Sequence, residues 1–570
     1  MRWLLPSHSD VEATPAALHG GMPPLVARVL ASRGLDTPES AAQFMADSLS
    51  DLPDPMRMKG MALASDRLCR AIRQREAITL YGDYDVDGVC SSALMKLFLE
   101  ELGARVTSYI PRRLGEGYGL NREAIEKICA EGAQLLITLD CGITSVEEVA
   151  LARGHGVDVL VVDHHTVPEQ LPPATAILNP HQPGCEYPTR HLCAAGVAFN
   201  LCIATRKRMR ETGGFGNRRE PNLRSLMDLV ALATVADVVP LTGANRVLVK
   251  QGLKELSEAR RPGIRALKEV SGLLAQAPVT AGLVGFRLGP RINAAGRLDD
   301  ASIGLRLLCA QSLKEAQPLA QLLDAANAER QAIEQRMLSE AFAQAAARPE
   351  ARGLVLAAEG WHPGVVGIVA SRVVERFHRP AVLVAMDGER GRGSARSIER
   401  FHLFDALSAC SEHLAKFGGH KHAAGLTVEA PRLADFTAAF ERIAGEKLSE
   451  DDLVPRCRVD AVVAASELDE RSVEALEMLG PFGCGNPEPV FVLRRQVARP
   501  RLLVNKREGA ADHLKLSLET APHLDAIGFG MGDRMGLTEG PVDLAFQVSV
   551  DEWNGRRRIQ LKLKDLNASV

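Results

Sequence analysis

The sequence predicts an α/β protein organised around a parallel sheet, and three short apolar runs at residues 77–81, 134–139 and 157–162 carry that prediction. Each run is five or six residues long and stops at a polar cluster, as strands buried on both faces do. Residues 122–131 and 145–153 lie between the runs and have helical patterns, so strand and helix alternate. In sheets of this kind functional groups collect at the carboxyl ends of the strands.

The first run ends in Gly82-Asp83-Tyr84-Asp85-Val86-Asp87-Gly88. Three carboxylates in one turn repel one another unless a cation neutralises them, and hard ions such as Mg²⁺ or Mn²⁺ prefer oxygen ligands. A solvated acidic turn is the plain alternative. The other strand ends weigh against it, because they carry Asp140-Cys141-Gly142 and Asp163-His164-His165. A fourth element, residues 226–240, is apolar apart from Asp228 and Asp237, and Asp237 therefore needs a buried partner. A lone histidine beside an apolar strand is usually a hydrogen-bonded core residue. Two adjacent histidines after an aspartate suggest that one ligates metal while the other meets substrate. Carboxylates with one or two imidazoles suit Mn²⁺ or Mg²⁺ better than Zn²⁺, and no Cys-x-x-Cys pair competes.

These residues resemble the DHH phosphoesterase family, whose motif stands here as Asp163-His164-His165. The resemblance extends over nearly the whole chain. It includes Leu288-Gly-Pro-Arg291-Ile-Asn293-Ala-Ala-Gly-Arg297-Leu298, His362-Pro-Gly-Val-Val-Gly367, Gly418-Gly-His420-Lys-His422-Ala-Ala-Gly425 and Pro481-Phe-Gly-Cys-Gly-Asn-Pro-Glu-Pro489. It implies membership of the branch of single-stranded-DNA-specific exonucleases that release 5′-mononucleotides in the 5′ to 3′ direction. The implied cofactors are two ions of Mn²⁺ or Mg²⁺, acting in hydrolysis without a covalent nucleophile. By carry-over, Asp85 and Asp87 are first-motif ligands, and Asp83 is a ligand or an orienter. Asp140 bridges the metals, His164 and Asp237 complete the cluster, and His165 lies near the scissile phosphate. Tyr81 departs from the pattern, since some members carry histidine there and tyrosine is a poor ligand for these ions.

The same resemblance makes Arg291, Asn293 and Arg297 candidate contacts to substrate phosphate. Gly393-Ser394-Ala-Arg396-Ser397 becomes a candidate 5′-phosphate pocket, and His420 a further candidate contact to substrate phosphate. Arginine suits this role because its planar fork binds phosphate oxygens bidentately. Taken alone, the short Ser394 to Ser397 motif is equally well a hairpin turn.

With 570 residues the chain should divide into several domains. Residues 1–50 read as a helical arm, 51–303 as the catalytic domain and 304–347 as a connecting helix tying two domains across a cleft. Residues 348–450 read as a DHH-associated α/β domain. Residues 451–570, with short alternating strands, read as an OB-fold β-barrel. No apolar run is long enough to span a bilayer, and the N-terminus is too soon polar for a secretory signal. Eleven scattered cysteines form no disulfide framework, which points to a reducing cytoplasm.

A net charge of −3 is no footprint of a nonspecific DNA coat, but basic clusters are local. They comprise Arg206-Lys-Arg208-Met-Arg210 with Arg218-Arg219, Arg499-Pro-Arg501 with Lys506-Arg507, and Arg556-Arg557-Arg558 with Lys562 and Lys564. Any one of them is ordinarily a solvated face. On a phosphoesterase, Arg556, Arg557, Arg558 and Trp553 are the candidate DNA contacts. Aromatics make up only 4%, so electrostatics should outweigh stacking. The resemblance further implies single-stranded DNA as partner, with a single-stranded-DNA-binding protein and a RecQ-type helicase in recombination and mismatch repair. Two alternatives stand beside it. One is a phosphodiesterase of short oligonucleotides or cyclic dinucleotides, which would not need the third domain. The other is an inactive DNA-binding scaffold, which would not need the retained ligands.

Overall fold

The structure is a computed structural model that describes residues 1–6, 22–112, 116–117, 119–298, 300–504, 511–553 and 556–569; of residues 298, 511, 552, 553 and 556 only the backbone is described. The chain forms two compact units. One comprises Trp3–Asn293, Ala301–Ala320 and Arg458–Val570, and the other Met1–Arg2, Ala294–Asp300 and Gln321–Cys457.

The first unit contains the expected parallel sheet. Its strands are β1 (Ala77–Gly82), β2 (Arg105–Tyr109), β3 (Leu135–Leu139), β4 (Asp158–Val162) and β5 (Ala176–Leu178), in spatial order β2-β1-β3-β4-β5. Every pairing is parallel. The order reverses between β1 and β3, the place where open sheets of this kind bind ligands. The central strands are apolar because helices cover both faces, and all five residues of β3 are buried. Helices α1 (Val86–Glu101), α2 (Ala194–Glu211) and α3 (Met227–Ala236) pack on one another beside the sheet. The apolar segment around residue 230 is thus a helix, buried from Met227 to Thr234.

The same unit holds a seven-stranded sheet. It contains Ala461–Val462, Phe491–Gln496, Ala498–Val504, Ala511–Leu518, Leu524–Gly528, Val542–Trp553 and Arg556–Ala568. Its core includes Phe491, Phe546 and Leu561 together with Leu25, Val26 and Leu30 of the N-terminal helix Pro24–Ser32. The N-terminal arm is therefore a structural part of the C-terminal barrel region. Arg246, fully buried, donates to the carbonyls of Ala46, Met478 and Gly480, and Leu241 N–H donates to Cys484 O at 2.8 Å. These bonds fasten the Pro481 to Pro489 motif beside Pro240.

The second unit has a mixed sheet of Leu354–Glu359, Ala381–Asp387, Arg390–Arg396, Lys416–Gly419 and Ala423–Glu429. The stretch expected as one connecting helix is two, Ser302–Cys309 and Leu313–Ala346. The break falls where the Ser312 hydroxyl accepts the Glu315 N–H at 3.3 Å, starting a new helix.

Candidate metal centre and phosphate pocket

The acidic residues line up because the strand register aligns them. Gly82 pairs with Leu139, Leu139 with Val162, and Val162 with Leu178. The next residue on each strand is Asp83, Asp140, Asp163 and Asn179. The ladder continues through them, with Asp83 N–H donating to Leu139 O at 3.1 Å, Asp140 N–H to Val162 O at 3.0 Å and Asp163 N–H to Leu178 O at 3.0 Å. Four polar side chains thus stand in a row at the carboxyl edge.

Asp85 caps α1, its Oδ1 accepting the N–H groups of Asp87 at 2.9 Å and Gly88 at 3.1 Å. Gly88 is required here, since a Cβ would lie 2.5 Å from the Asp83 carbonyl oxygen. Asp87 is fastened from the other side, with Ala194 and Ala195 N–H donating to its two oxygens at 2.6 and 2.8 Å. The start of α2 therefore holds this carboxylate. Asp140 adopts a left-handed φ of 66°, rare for a residue with a side chain and frequent at functional sites.

His164 Nε2 lies 3.1 Å from Asp140 Oδ1, 3.6 Å from Asp237 Oδ2 and 3.8 Å from Asp87 Oδ2. The first three of these four atoms are buried without a hydrogen-bond partner. Buried polar atoms left unpaired are costly, and three of them converging on one point fit a cation. Ligand atoms group as Asp83, Asp85 and Asp140; as Asp87, His164 and Asp237; and as Asp140, His164 and His165. All residues expected in the centre are thus brought together, Asp83 included. The other acid of α3, Asp228, is instead paired with Arg261 at 2.7 Å.

Burial, then the charges of neighbouring aspartates, raise the carboxyl pKa values of Asp87 and Asp140. Asp237 is raised by the same causes. Burial lowers His164 to about 4, which keeps it neutral and able to ligate. His165 goes the other way. Burial works to lower it, but the hydrogen bond and charge of Asp163 prevail and raise it to about 9. Its Nδ1 lies 2.7 Å from Asp163 Oδ1, which also accepts the main-chain N–H groups of both histidines. Asp163, named only as part of the motif, is the residue that orients them. Tyr81 is buried in an apolar cluster, its hydroxyl donating to Gly119 O at 3.0 Å, and it takes no part in the centre.

Asn293 Oδ1 accepts the Val86 N–H at 3.1 Å, at the acidic turn between Asp85 and Asp87. Arg291 donates to Arg287 O at 2.7 Å and to Val270 O at 3.4 Å. In the second unit, Arg297 donates to Gly364 O at 2.9 Å. There Arg396 Nη1 donates to Ser394 Oγ at 3.0 Å, beside the first turn of the helix Val366–Phe377. A Cβ on Gly367 would stand 3.0 Å from Ser394 Oγ and 3.2 Å from Arg396 Nη2, so the glycine keeps this cradle open. Ser397 Oγ donates to Phe401 O at 2.8 Å and is already engaged. His420, exposed, donates its N–H to Ala423 O, and Ala423 pairs with Arg396, so the turn lies at the same sheet end.

On the barrel, Arg557 is paired with Glu474 and Arg558 lies 3.3 Å from Asp525. The side chains of Arg556 and Trp553, and residues Lys506 and Arg507, lie outside the described residues.

An acidic and imidazole cluster at the switch point of a 2-1-3-4-5 parallel sheet defines a DHH phosphoesterase, and residues 77–234 match the DHH family, N-terminal domain. Residues 350–446 match the DHHA1 domain and residues 459–565 the RecJ OB domain. The chain belongs to the RecJ family. It is 39% identical to the single-stranded-DNA-specific exonuclease RecJ of Bacillus subtilis (strain 168), over 100% of this chain and 71% of that one. With the enzyme of that name from Escherichia coli (strain K12) it shares 38% identity over 98% of each. The crystal structure of RecJ in complex with Mn²⁺ from Thermus thermophilus superposes with a TM-score of 0.84 at 33% identity, covering 99% of this chain and 79% of that one. A second crystal structure from that organism holds Mg²⁺.

Proposed function

We propose that this chain is a metal-dependent, single-stranded-DNA-specific exonuclease that releases 5′-mononucleotides from the 5′ end. The observation that carries the reading is the convergence of unpaired Asp140 Oδ1, His164 Nε2 and Asp237 Oδ2 within a ring of carboxylates. Asp83, Asp85 and Asp140 would hold one Mn²⁺ or Mg²⁺ ion, and Asp87, His164 and Asp237 a second, with Asp140 placed to serve both. Bound there, the ions lower the pKa of water and stabilise charge on the phosphoryl oxygens.

The chain's own groups do the rest. Asp163 fixes His165 through Nδ1, and its hydrogen bond and charge favour the protonated imidazole, whose Nε2–H would be a donor for a phosphate oxygen or the departing alkoxide. The α2 N-terminus holds Asp87 in place. Ser394 and Arg396, beside the first turn of a helix, suit a 5′-phosphate, which supports digestion from that end. Arg556, Arg557 and Arg558 with Trp553 are the barrel's contribution to DNA binding, and the carboxylates paired with Arg557 and Arg558 are weak surface partners that phosphate can displace. A cytoplasmic location, with a single-stranded-DNA-binding protein and a RecQ-type helicase as partners, follows from the RecJ resemblance; no described helix is long and apolar enough to cross a membrane.

The deciding experiment is digestion of single-stranded DNA labelled at either end, beside its duplex, with Mn²⁺, Mg²⁺ or EDTA. Metal-dependent release of mononucleotides from the 5′ end of the single strand is expected. Cleavage confined to dinucleotides would move the chain to the small phosphodiesterases, and binding without cleavage would make it a scaffold.

A further inference from the structure

Asp237 stands at the end of α3, and the backbone just beyond it is strained. Its N–H donates to Ala233 O at 2.9 Å, so the helix fixes the chain up to this residue. Val238 then takes a left-handed φ of 59° and is 66% exposed. A β-branched residue avoids that conformation, which persists only where its surroundings over-determine it. With Val238 mostly exposed, the restraint comes through the main chain on either side.

On the C-terminal side it comes from the barrel region. Leu241 N–H donates to Cys484 O at 2.8 Å, and the glycines flanking Cys484 lie against the same stretch. A Cβ on Gly485, whose φ is 69°, would stand 2.8 Å from Pro240 Cβ and 3.2 Å from its Cα. One on Gly483 would stand 2.7 Å from Leu241 Cδ1. The turn that makes this approach is itself braced. Gly483 and Asn486 exchange main-chain hydrogen bonds at 2.8 and 3.1 Å, and the buried Asn486 donates Nδ2 to Leu479 O at 2.8 Å and to Pro481 O at 2.9 Å. Arg33, just past the helix Pro24–Ser32, donates to Asn486 Oδ1 at 2.7 Å and to Pro487 O at 2.8 Å. From the other side Asn245 Nδ2 donates to Pro240 O at 3.0 Å.

We propose that the turn Gly483–Asn486 is a positioning element of the metal centre. By holding Pro240 and Leu241 it keeps Val238 in its strained conformation, and Val238 in turn keeps the Asp237 carboxylate beside His164 and Asp87. This rests on the reading of Asp237 as a metal ligand. The barrel region thus contributes to metal affinity through the main chain, apart from any contact it makes with DNA.

The test uses the full chain, with G485A and G483A as variants. Gly483 lies outside the left-handed region, so G483A adds only the contact with Leu241 and decides the matter where G485A does not fold. Either variant should lower Mn²⁺ affinity by about 10-fold, measured by isothermal titration without DNA. At limiting Mn²⁺ kcat should fall, excess Mn²⁺ should restore it, and KM for single-stranded DNA should not move. Adding V238G should recover most of the lost affinity, because glycine holds a positive φ without strain and has no tendency to swing Asp237 away. Normal Mn²⁺ affinity in a variant that is merely less stable in EDTA overturns the proposal. So does a raised KM for DNA with Mn²⁺ binding unchanged, or a loss of affinity that V238G does not relieve. An unmodified protein that binds no Mn²⁺ overturns the metal-centre reading itself, a result distinct from these.

Discussion

Asn293 and Val86 are joined by a hydrogen bond of 3.1 Å between residues 207 positions apart, the side-chain oxygen of one accepting the main-chain N–H of the other. Val86 stands between Asp85 and Asp87, so this bond holds the turn from which both carboxylates project. N293A should therefore act on metal binding, lowering Mn²⁺ affinity by about 10- to 100-fold, as removal of a group that orients ligands does. Isothermal titration with Mn²⁺ in the absence of DNA measures it. A variant with normal Mn²⁺ affinity and a raised KM for DNA would return Asn293 to the role of phosphate contact that its motif suggested.

Asp140 would serve both ions in the proposed site, and the basic groups proposed to meet DNA lie elsewhere on the chain. D140A should abolish cleavage, with a loss of at least about 10³-fold as expected when a group essential to transition-state stabilisation is removed. Single-strand binding should survive largely intact. Fluorescence anisotropy beside a nuclease assay separates the two, and parallel loss of both would sink this division of labour.

The acidic cluster of the candidate centre was legible in the sequence because strand ends mark it. Apolar runs stop abruptly at Asp83, Asp140 and Asp163, and parallel pairing then sets those ends side by side. The roles of other groups were hidden by distance. Nothing near Asn293 announces Val86. Nothing in the sequence places Asn179 beside the acids; the pairing of β5 with β4 carries it into their row. Ser397 looks like a phosphate ligand until its hydroxyl is found donating to Phe401. Within the expected arm the helix Pro24–Ser32 lies where a helix was expected, while Arg2–Leu4 is a strand, and the burial of Leu25, Val26 and Leu30 against Phe491 and Phe546 depends on contacts some 450 to 520 residues away in sequence.

Metal should stabilise the protein, and more strongly at higher pH. The carboxyls of Asp87, Asp140 and Asp237 have pKa values raised in the folded state by burial and by one another. Without metal, the folded protein thus keeps protons that the unfolded chain releases, and its stability falls as pH rises beyond the ordinary carboxylate range. Cations bind the deprotonated groups and reverse the penalty, so the Mn²⁺-induced rise in Tm should be larger at about pH 8 than at about pH 6. His164, lowered to about 4, is neutral at both values and does not alter the sign. Thermal melts with EDTA and with Mn²⁺ measure the difference, and an equal rise at both pH values would show that these carboxyls do not titrate as the site requires.

The proposed role of Arg396 would separate recognition of the strand end from the chemistry. Its guanidinium is held by Ser394 Oγ and the Ala395 carbonyl, beside a glycine that keeps the first turn of a helix accessible. A 5′-phosphate seated there would gain charge-assisted hydrogen bonds from arginine and hydroxyl. R396A should lower kcat/KM on 5′-phosphorylated DNA by about 10- to 100-fold, the equivalent of roughly 1.5–3 kcal/mol for a hydrogen bond to a charged group. On DNA with a 5′-hydroxyl the loss should be small, because that end offers no anion for the guanidinium to hold. Initial rates on the two ends, measured under identical salt, decide it, and equal losses on both would mean that Arg396 supports the domain rather than reading the end.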